Sequence, residues 1–190
     1  GHLRAERLSR TEPRDPLLHT VQLVPGARTR RAVLPAIRDP LDSLGRLAIP
    51  KRTDQARQLL AEAETAGLIS NANRWEPILR EAEEAGADNR GLCLVHGDLY
   101  SKHLLVEAGQ PSGVIDWGDV HLGDSACDLA FAFSFFEGAS RQSFFEAYGS
   151  VSEATARLAR MRVVNHSISC VLGSGSDEAF RLESRQALER

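Results

Sequence analysis

Cysteine, lysine and aromatic residues are scarce in this chain of 190 residues. The three cysteines, Cys93, Cys127 and Cys170, are widely spaced and form neither a C-x-x-C pair nor a disulfide framework. This spacing argues against a disulfide-stapled secreted domain and favours a reducing compartment. Each cysteine stands in an apolar context, so we interpret all three as small buried hydrophobic residues rather than nucleophiles. We expect a cytoplasmic protein.

Long apolar runs and a strong excess of one charge are also missing. No apolar stretch approaches the roughly 20 residues of a membrane-spanning helix, and the N-terminus lacks the apolar core of a signal peptide. The formal net charge is -3, and basic and acidic residues are spread along the whole chain. Binding to a nucleic-acid backbone requires a basic face, which this chain does not show, so we expect no nucleic acid as partner. Because the long apolar run is missing, we expect no membrane as partner either.

The chain does have the composition of a folded globular protein, with 42% hydrophobic and 26% charged residues. Its length is enough for one domain with a substantial core, covering residues 1–190. Periodicity divides this domain into a helical part at 1–90, a strand-containing part at 91–123 and C-terminal helices at 124–190. The predicted fold class is mainly α, of α+β type, with a small β-hairpin between two helical groups.

Capping residues and turn formers predict the element boundaries. Residues 1–52 are interpreted as short helices and loops. Glycines at 67 and 86 are predicted to end the next two helices. The predicted N-caps are polar residues ahead of helical segments: Thr53, Asn73, Ser140, Ser152 and Ser176. The predicted strands are short apolar runs: 92–95, 103–107 and 113–117.

The residues best suited to chemistry stand in two short segments, "LVHGDLYSKHLLV" at 94–106 and "GVIDWGD" at 113–119. A loop after the first strand presents Asp98, and the following hairpin returns Asp116 toward the same end, so the two carboxylates and His103 can converge. Converging carboxylates are costly unless a cation neutralises them, and oxygen ligands with room for water suit Mg2+. Phosphoryl transfer needs a carboxylate that accepts a proton and ligands that hold the metal. Asp98 suits the first role and Asp116 the second.

At these residues the sequence resembles a known family. "HGDLYSKH" is similar to the H-G-D-x-x-x-x-N motif of the aminoglycoside phosphotransferase and choline kinase family, and "VIDW" resembles its metal-binding segment. "GDVHLGDSACDLAFAF" is similar to the family's G-D-P-x-x-D-L-A segment. Three segments in order at suitable spacing are far more specific than one short motif. The resemblance implies a protein-kinase-like fold and ATP-dependent phosphate transfer to a hydroxyl of a small molecule.

The resemblance also implies roles for individual residues. It makes Asp98 the catalytic base and Asp116 the Mg2+ ligand. Asp128, in the third segment, is expected to hold the catalytic loop, residues 96–103, in place. His96 is interpreted as a structural residue that braces the loop by hydrogen bonds rather than as a proton carrier.

The nucleotide site is expected beside the same hairpin. By analogy with the family, Leu105 and Ile115 would line the floor of the nucleotide pocket. Trp117, which follows the metal-binding aspartate, is interpreted as a core aromatic residue in preference to a wall of the substrate site.

One departure from the family concerns the metal. Where the family usually has asparagine as its second metal ligand, this chain has His103. Imidazole is a poorer ligand for Mg2+ than an amide oxygen and favours softer ions. The expected metal is therefore Mg2+, with Mn2+ as the alternative that His103 suggests.

A second departure concerns the N-terminal lobe, which in the family supplies a loop over the phosphates and a lysine that pairs with them. Lys51 and Lys102 are the only lysines; Lys51 precedes a predicted helix and Lys102 lies inside the catalytic loop. The sequence also has no glycine-rich loop after a strand. "LLHT" at 17–20 resembles the family's helix that follows the hinge between the two lobes. We therefore expect this chain to represent the C-terminal lobe, without the N-terminal β-lobe.

Three functions remain open from the sequence. The first is a small-molecule kinase that binds ATP and an acceptor substrate. The second is a non-catalytic fragment or pseudokinase-type module whose role is binding. The third is a metallohydrolase with His96, Asp98, His103 and Asp116 around a transition metal, because their spacing permits such a site.

Overall fold

Helices make up most of the computed structural model, which describes residues 6–7, 42–86, 92–173 and 177–189. The helices in these ranges are α1 (Lys51–Thr65), α2 (Glu76–Ala85), α3 (Ala126–Phe135), α4 (Gly138–Tyr148), α5 (Glu153–Leu172) and α6 (Glu178–Leu188). The helix predicted at 17–20 lies outside the described residues. The prediction of a mainly α fold is confirmed.

The described residues also form two small antiparallel sheets. Their strands are β1 (Glu6–Arg7), β2 (Cys93–Val95), β3 (Leu104–Glu107), β4 (Gln110–Val114) and β5 (His121–Gly123). β3 lies between β1 and β4 in one sheet, and β2 pairs with β5 in the other. The chain between β2 and β3, and the chain between β4 and β5, are therefore loops that start from paired strands.

The longest helix, α5, forms the centre of the helical packing. It contacts α1, α2, α3 and α6. Its inward face is apolar and almost completely buried: Leu158, Met161, Val164, Ile168 and Val171. Burial of side chains of this size contributes about 1.5–3 kcal/mol each to the hydrophobic driving force. The core thus fixes α5 relative to α3, which adjoins the loop after β2.

Trp75 joins the two ends of the helical part. Its side chain is buried, and its Nε1 donates a hydrogen bond of 3.0 Å to the Leu188 carbonyl oxygen. This bond satisfies a carbonyl at the C-terminal end of α6, where no intrahelical donor is available. The indole therefore anchors α6 to the turn before α2.

Several predicted helix starts are wrong by a few residues. α1 begins at Lys51, so Thr53 lies in its first turn and donates its hydroxyl to the Pro50 carbonyl instead of capping. Asn71, not Asn73, accepts the capping hydrogen bond before a short 3-10 turn at Ala72–Trp75. In both places the cap residue precedes the predicted one: it is Pro50 for α1 and Asn71 for the 3-10 turn.

The predicted N-caps of the C-terminal helices are only partly confirmed. Ser152 caps α5 as predicted, accepting a hydrogen bond from the backbone of Thr155. Ser140 instead lies in the first turn of α4, where its hydroxyl accepts from the backbone N–H of Glu137. The cap of α6 is Asp177 rather than Ser176, which lies outside the described residues.

Two strand boundaries also differ from the prediction. The strand predicted at 113–117 is β4 at Gln110–Val114, and the turn is only Ala108–Gly109, whose φ angles are both positive. β4 ends before Ile115 because Asp116 adopts the left-handed conformation, with φ 65° and ψ 56°. The metal-binding segment is consequently a loop rather than part of a strand.

Among the helices within 42–86, 92–173 and 177–189, none is both long and apolar enough to cross a membrane.

Candidate active site

The loop after β2 is built around Gly97. Its φ of 85° belongs to the left-handed region, and a Cβ at this position would collide with the backbone carbonyl oxygen of Asp119. Glycine is therefore the residue that allows this turn and this close approach. The turn brings Asp98 out of the sheet and sets it beside the loop that follows β4.

His96 is buried and uses both ring nitrogens within the protein. The backbone N–H of Asp98 donates to Nδ1 at 3.3 Å, so Nδ1 must lack a proton. Nε2 lies 2.9 Å from the carbonyl oxygen of Ile115 and must therefore be the protonated nitrogen that donates to it. One neutral imidazole thus connects the loop after β2 with the loop after β4.

Asp128, in the first turn of α3, holds the same loop from the other side. Its two carboxylate oxygens accept the backbone N–H groups of His96 at 2.6 Å and Gly97 at 3.0 Å. Hydrogen bonds to an ionised acceptor are shorter and stronger than those between neutral groups. The loop is therefore fixed through its backbone, which leaves the side chain of Asp98 free of this task.

The carboxylate of Asp98 is one-third exposed. Its Oδ1 lies 3.8 Å from Nη2 of Arg162, a residue of α5 whose own side chain is only 11% exposed. A carboxylate at the surface, beside a fixed positive charge, remains accessible to a small molecule. Its position suits a group that accepts a proton from a bound substrate.

His103 connects Asp98 with Asp116. Its Nδ1 lies 2.7 Å from the carbonyl oxygen of Asp98 and its Nε2 lies 3.3 Å from Oδ2 of Asp116. Since a carbonyl can only accept, Nδ1 carries a proton, and a neutral ring then turns the lone pair of Nε2 toward the Asp116 carboxylate. Two electron-rich atoms at this distance are stable together only with a proton or a cation between them.

The donor pair fits a hard divalent cation that keeps much of its water. The Asp116 carboxylate is 68% exposed, while the imidazole of His103 is 9% exposed, so the pair opens to solvent on the carboxylate side. Mg2+ is typically held by one or two protein ligands, with water and substrate phosphates completing its shell. Within the ranges that the structure describes, no group of three or more His, Cys, Asp or Glu residues could hold a metal ion.

The two residues predicted for the nucleotide floor lie at the β3–β4 hairpin. Leu105 is in β3 and pairs with Gly113 of β4. Ile115 follows the end of β4, and its backbone N–H donates to the His103 carbonyl oxygen at 2.9 Å. Both side chains are half-buried. Both residues are therefore close in sequence to His103 and Asp116.

Trp117 is not a core residue, contrary to the sequence-based interpretation. Its side chain is half exposed, its Nε1 donates to the Val114 carbonyl at 3.0 Å, and its ring centroid lies 4.8 Å from that of His96. The left-handed turn at Asp116 rotates the next residue outward, which the apolar run "GVIDW" does not reveal. The indole consequently covers the imidazole of His96 from the solvent side.

An aromatic cluster that the sequence did not predict adjoins the loop. The ring of Tyr100 lies 4.2 Å from His103, 5.3 Å from His166 of α5 and 5.4 Å from Phe180 of α6, measured between centroids. Lys102 lies over Phe180 at 4.1 Å and pairs with Asp177. The cluster anchors the catalytic loop on the two last helices.

Burial lowers the pKa of His166 to about 4, and the nearby guanidinium of Arg162 lowers it further in the same direction. The carboxylate of Asp98 raises the pKa of His166, whereas the charges of His103 and Arg46 lower it. His166 is therefore neutral at physiological pH.

This depressed pKa predicts a pH-dependent stability. The unfolded chain binds a proton at His166 below about pH 6.5, whereas the folded chain binds one only near pH 4. The free energy of unfolding should therefore fall as the pH drops through this window, by at most about 3 kcal/mol. Urea unfolding at pH 7 and pH 4.5 measures the loss.

The matched variant is His166→Gln, which cannot titrate. We expect the fall in stability between pH 7 and pH 4.5 to be clearly smaller in this variant than in the parent. Equal losses in the two proteins would show that His166 does not carry the effect.

The cysteines are not part of the site chemistry. Burial raises the pKa of Cys127 and of Cys170 to about 11, so both thiols are protonated at neutral pH. Both agree with the interpretation as small hydrophobic side chains. Cys93 does not: it is exposed, although it lies on the same face of β2 as the buried Val95.

Comparison with known proteins identifies the family. The model of the phosphotransferase enzyme family matches residues 22–163, which include the loop after β2, the β3–β4 hairpin and the Asp128 segment. The chain belongs to the phosphotransferase enzyme family. No curated protein matches the chain by sequence.

Solved structures similar to the chain are phosphotransferases too. One is the apoenzyme of a macrolide 2'-phosphotransferase from Brachybacterium faecium, with 28% identity, 73% of this chain and 49% of that chain covered, and a TM-score of 0.39. A type I macrolide 2'-phosphotransferase has 25% identity, coverage of 70% and 48%, and a TM-score of 0.38. A spectinomycin phosphotransferase in complex with ADP and spectinomycin has 18% identity, coverage of 73% and 51%, and a TM-score of 0.43. The chain spans about half the length of these proteins.

Membership of the phosphotransferase enzyme family confirms the resemblance and the kinase-like fold that it implied. Sequence analysis missed Arg162, Arg46 and Tyr100. Arg46 is buried and pairs with Asp119, which follows the metal-binding segment. For Arg162 a signal was present, because this charged residue stands between Met161 and Val163, which are both buried.

Proposed function

We propose that this chain carries the catalytic and metal-binding part of an ATP-dependent phosphotransferase that acts on a hydroxyl group of a small molecule. One observation carries the proposal: the ring of His103 contacts both the backbone carbonyl oxygen of Asp98 and the carboxylate of Asp116. This contact supports the proposal that Asp98 serves as proton acceptor next to the cation ligands His103 and Asp116, an arrangement that phosphoryl transfer requires.

Each residue then has a defined task. Asp98 orients the acceptor hydroxyl and takes its proton as the oxygen attacks the γ-phosphorus of ATP, whose bond to the bridging oxygen breaks so that ADP leaves. Asp116 and His103 hold the divalent cation, whose bound form neutralises charge on the nucleotide phosphates. Asp128 and His96 keep the loop rigid so that Asp98 stays within reach of the hydroxyl. Leu105 and Ile115 provide an apolar floor for the nucleotide base.

A non-catalytic binding module is the second candidate, and the lysines favour it. Lys51 is the first residue of α1, and Lys102 is bonded to Asp177 at 2.9 Å. Neither lysine lies on a strand, where the family would place the one that pairs with the phosphates. The chain would then bind nucleotide without transferring phosphate unless a further lobe completed the site.

The metallohydrolase alternative has less support. Both nitrogens of His96 are occupied by backbone partners, so this residue cannot bind a metal without breaking one of these hydrogen bonds. Of the remaining three residues, His103 and Asp116 are in side-chain contact, whereas Asp98 contacts His103 through its backbone carbonyl oxygen.

Calorimetric titration of the chain with ATP, first in Mg2+ and then in Mn2+, tests the proposal. We expect binding that depends on the metal and that weakens at least about tenfold in Asp116→Ala, because the variant loses its carboxylate ligand. Equal affinity in the parent and in Asp116→Ala would exclude Asp116 from the metal site.

Two further results would refine the assignment. His103→Asn, which restores the family's usual residue, should shift preference from Mn2+ toward Mg2+; identical metal profiles would remove His103 from the site. Metal-dependent ATP binding without ADP release on a panel of amino alcohols, sugars and aminoglycosides would favour the binding module.

A further inference from the structure

Arg162 is a charged residue that extends from the helical core into the candidate site. It lies on α5, and its side chain is 11% exposed. Its Nε donates to the Cys127 carbonyl oxygen at 3.1 Å and its Nη2 donates to the Gly97 carbonyl oxygen at 2.8 Å. A buried guanidinium is costly unless its N–H groups find acceptors. Both acceptors here are backbone atoms of other elements, the catalytic loop and α3.

The Gly97 carbonyl belongs to the peptide group that leads directly into Asp98. The thiol of Cys127 also donates to it, at 3.4 Å. On the other side of the same residue, the N–H of Gly97 is bound by Asp128. Gly97 would otherwise be the most freely rotating residue of the loop. Bonds on both of its sides therefore fix the plane of the peptide that aims Asp98.

The same guanidinium nitrogen also faces the carboxylate that this peptide carries. Nη2 of Arg162 lies 2.8 Å from the Gly97 carbonyl and 3.8 Å from Oδ1 of Asp98. The second distance exceeds a hydrogen bond but leaves a strong attraction in a partly buried setting. One atom thereby restrains both the backbone before Asp98 and the direction of its side chain.

We propose that Arg162 is a positioning residue of the catalytic loop, which acts through the Gly97–Asp98 peptide and the Asp98 carboxylate. The inference rests on the proposed function, since positioning matters for transfer only if Asp98 is the base. Lysine cannot replace arginine fully, because an ammonium group lacks the planar fork that reaches two carbonyls at once.

The test compares Arg162→Met and Arg162→Lys with Arg157→Met, a control on the same helix whose guanidinium contacts Glu153 at the surface. The first measurement is amide hydrogen exchange, which needs no turnover. We expect the amides of Gly97 and Asp98 to exchange at least about tenfold faster in Arg162→Met, while those of α1 keep the parent rates. Arg162→Lys should fall in between, and Arg157→Met should match the parent.

The second measurement is ADP release with ATP and an acceptor found by screening. Misplacement of a catalytic group by about 1 Å costs roughly 100-fold in rate, so kcat should fall about 10- to 100-fold in Arg162→Met. The KM for ATP should stay within about threefold, and lysine should restore part of kcat. A residue that only stabilises the fold would lower Tm without this split between kcat and KM.

The outcomes separate the inference from the proposed function. Unchanged loop exchange in both Arg162 variants, or a parent kcat in Arg162→Met, overturns the inference. Faster loop exchange in a protein whose parent form transfers no phosphate supports the structural restraint and contradicts the proposed function instead. If Arg162→Met does not fold, Arg162→Lys gives the same comparison with the charge retained.

Discussion

Replacing Asp98 with asparagine should reduce phosphate transfer from ATP by about 100- to 10,000-fold, the usual contribution of a general base. Asparagine has nearly the same shape but cannot accept the proton of the attacking hydroxyl. The fold should be unaffected, because the loop is held by Asp128 through the backbone of His96 and Gly97. ADP release, with Tm measured in parallel, checks both parts of this expectation.

The matched control for this substitution is Asp54→Asn, the same chemical change on the exposed surface of α1. It should transfer phosphate at the parent rate. Metal-dependent ATP affinity of Asp98→Asn should also match the parent within about threefold, since Asp98 is not proposed to hold the nucleotide. Transfer by Asp98→Asn at the parent rate would mean that another group accepts the proton.

The catalytic loop shows what short-range pattern can predict. "HGDLYSKH" and "VIDW" carry fixed offsets because each residue is placed by its own turn of backbone: glycine for the left-handed conformation, aspartate directly after it, and histidine five residues later. The same logic located Ser152 as the cap of α5. Properties that depend on a few adjacent residues were therefore accessible from the sequence.

Strand boundaries that are set by backbone conformation rather than by composition could not be predicted from the sequence. The apolar letters of "GVIDW" predicted a strand at 113–117, but the strand ends at Val114 because Asp116 is left-handed. Aspartate tolerates that conformation better than most residues, yet nothing in its neighbours requires it. The exposure of Trp117 follows from this single backbone angle.

Contacts between distant parts of the chain were also beyond prediction. Arg162 reaches Gly97, 65 residues away in sequence, and Tyr100 meets His166 only because α5 passes beneath the loop. Such pairs depend on how helices pack, and periodicity indicates which face of a helix is buried but not what it will touch. The position of Arg162 between two apolar residues indicated a buried charge but not its partner.

Removing Asp128 should have the second large effect, on the stability of the catalytic loop and of the whole fold. Asp128→Ala leaves the N–H groups of His96 and Gly97 without their acceptor, and His96 is buried. An unsatisfied buried donor costs about 1–3 kcal/mol, so the free energy of unfolding should fall by roughly 2–4 kcal/mol. Urea unfolding at pH 7 measures this loss, and phosphate transfer should fall with it because Asp98 is no longer held.

Asparagine at the same position distinguishes the charge from the side-chain shape. Asp128→Asn keeps one carboxamide oxygen but turns an NH2 group toward the second backbone N–H, so it should be nearly as damaging as alanine. Asp177→Asn is the calibrating control, because Asp177 also accepts a backbone N–H but at an exposed helix start. That change should cost no more than about 1 kcal/mol. If Asp128→Asn were as mild as the control, the two hydrogen bonds to Asp128 would not be what fixes the loop.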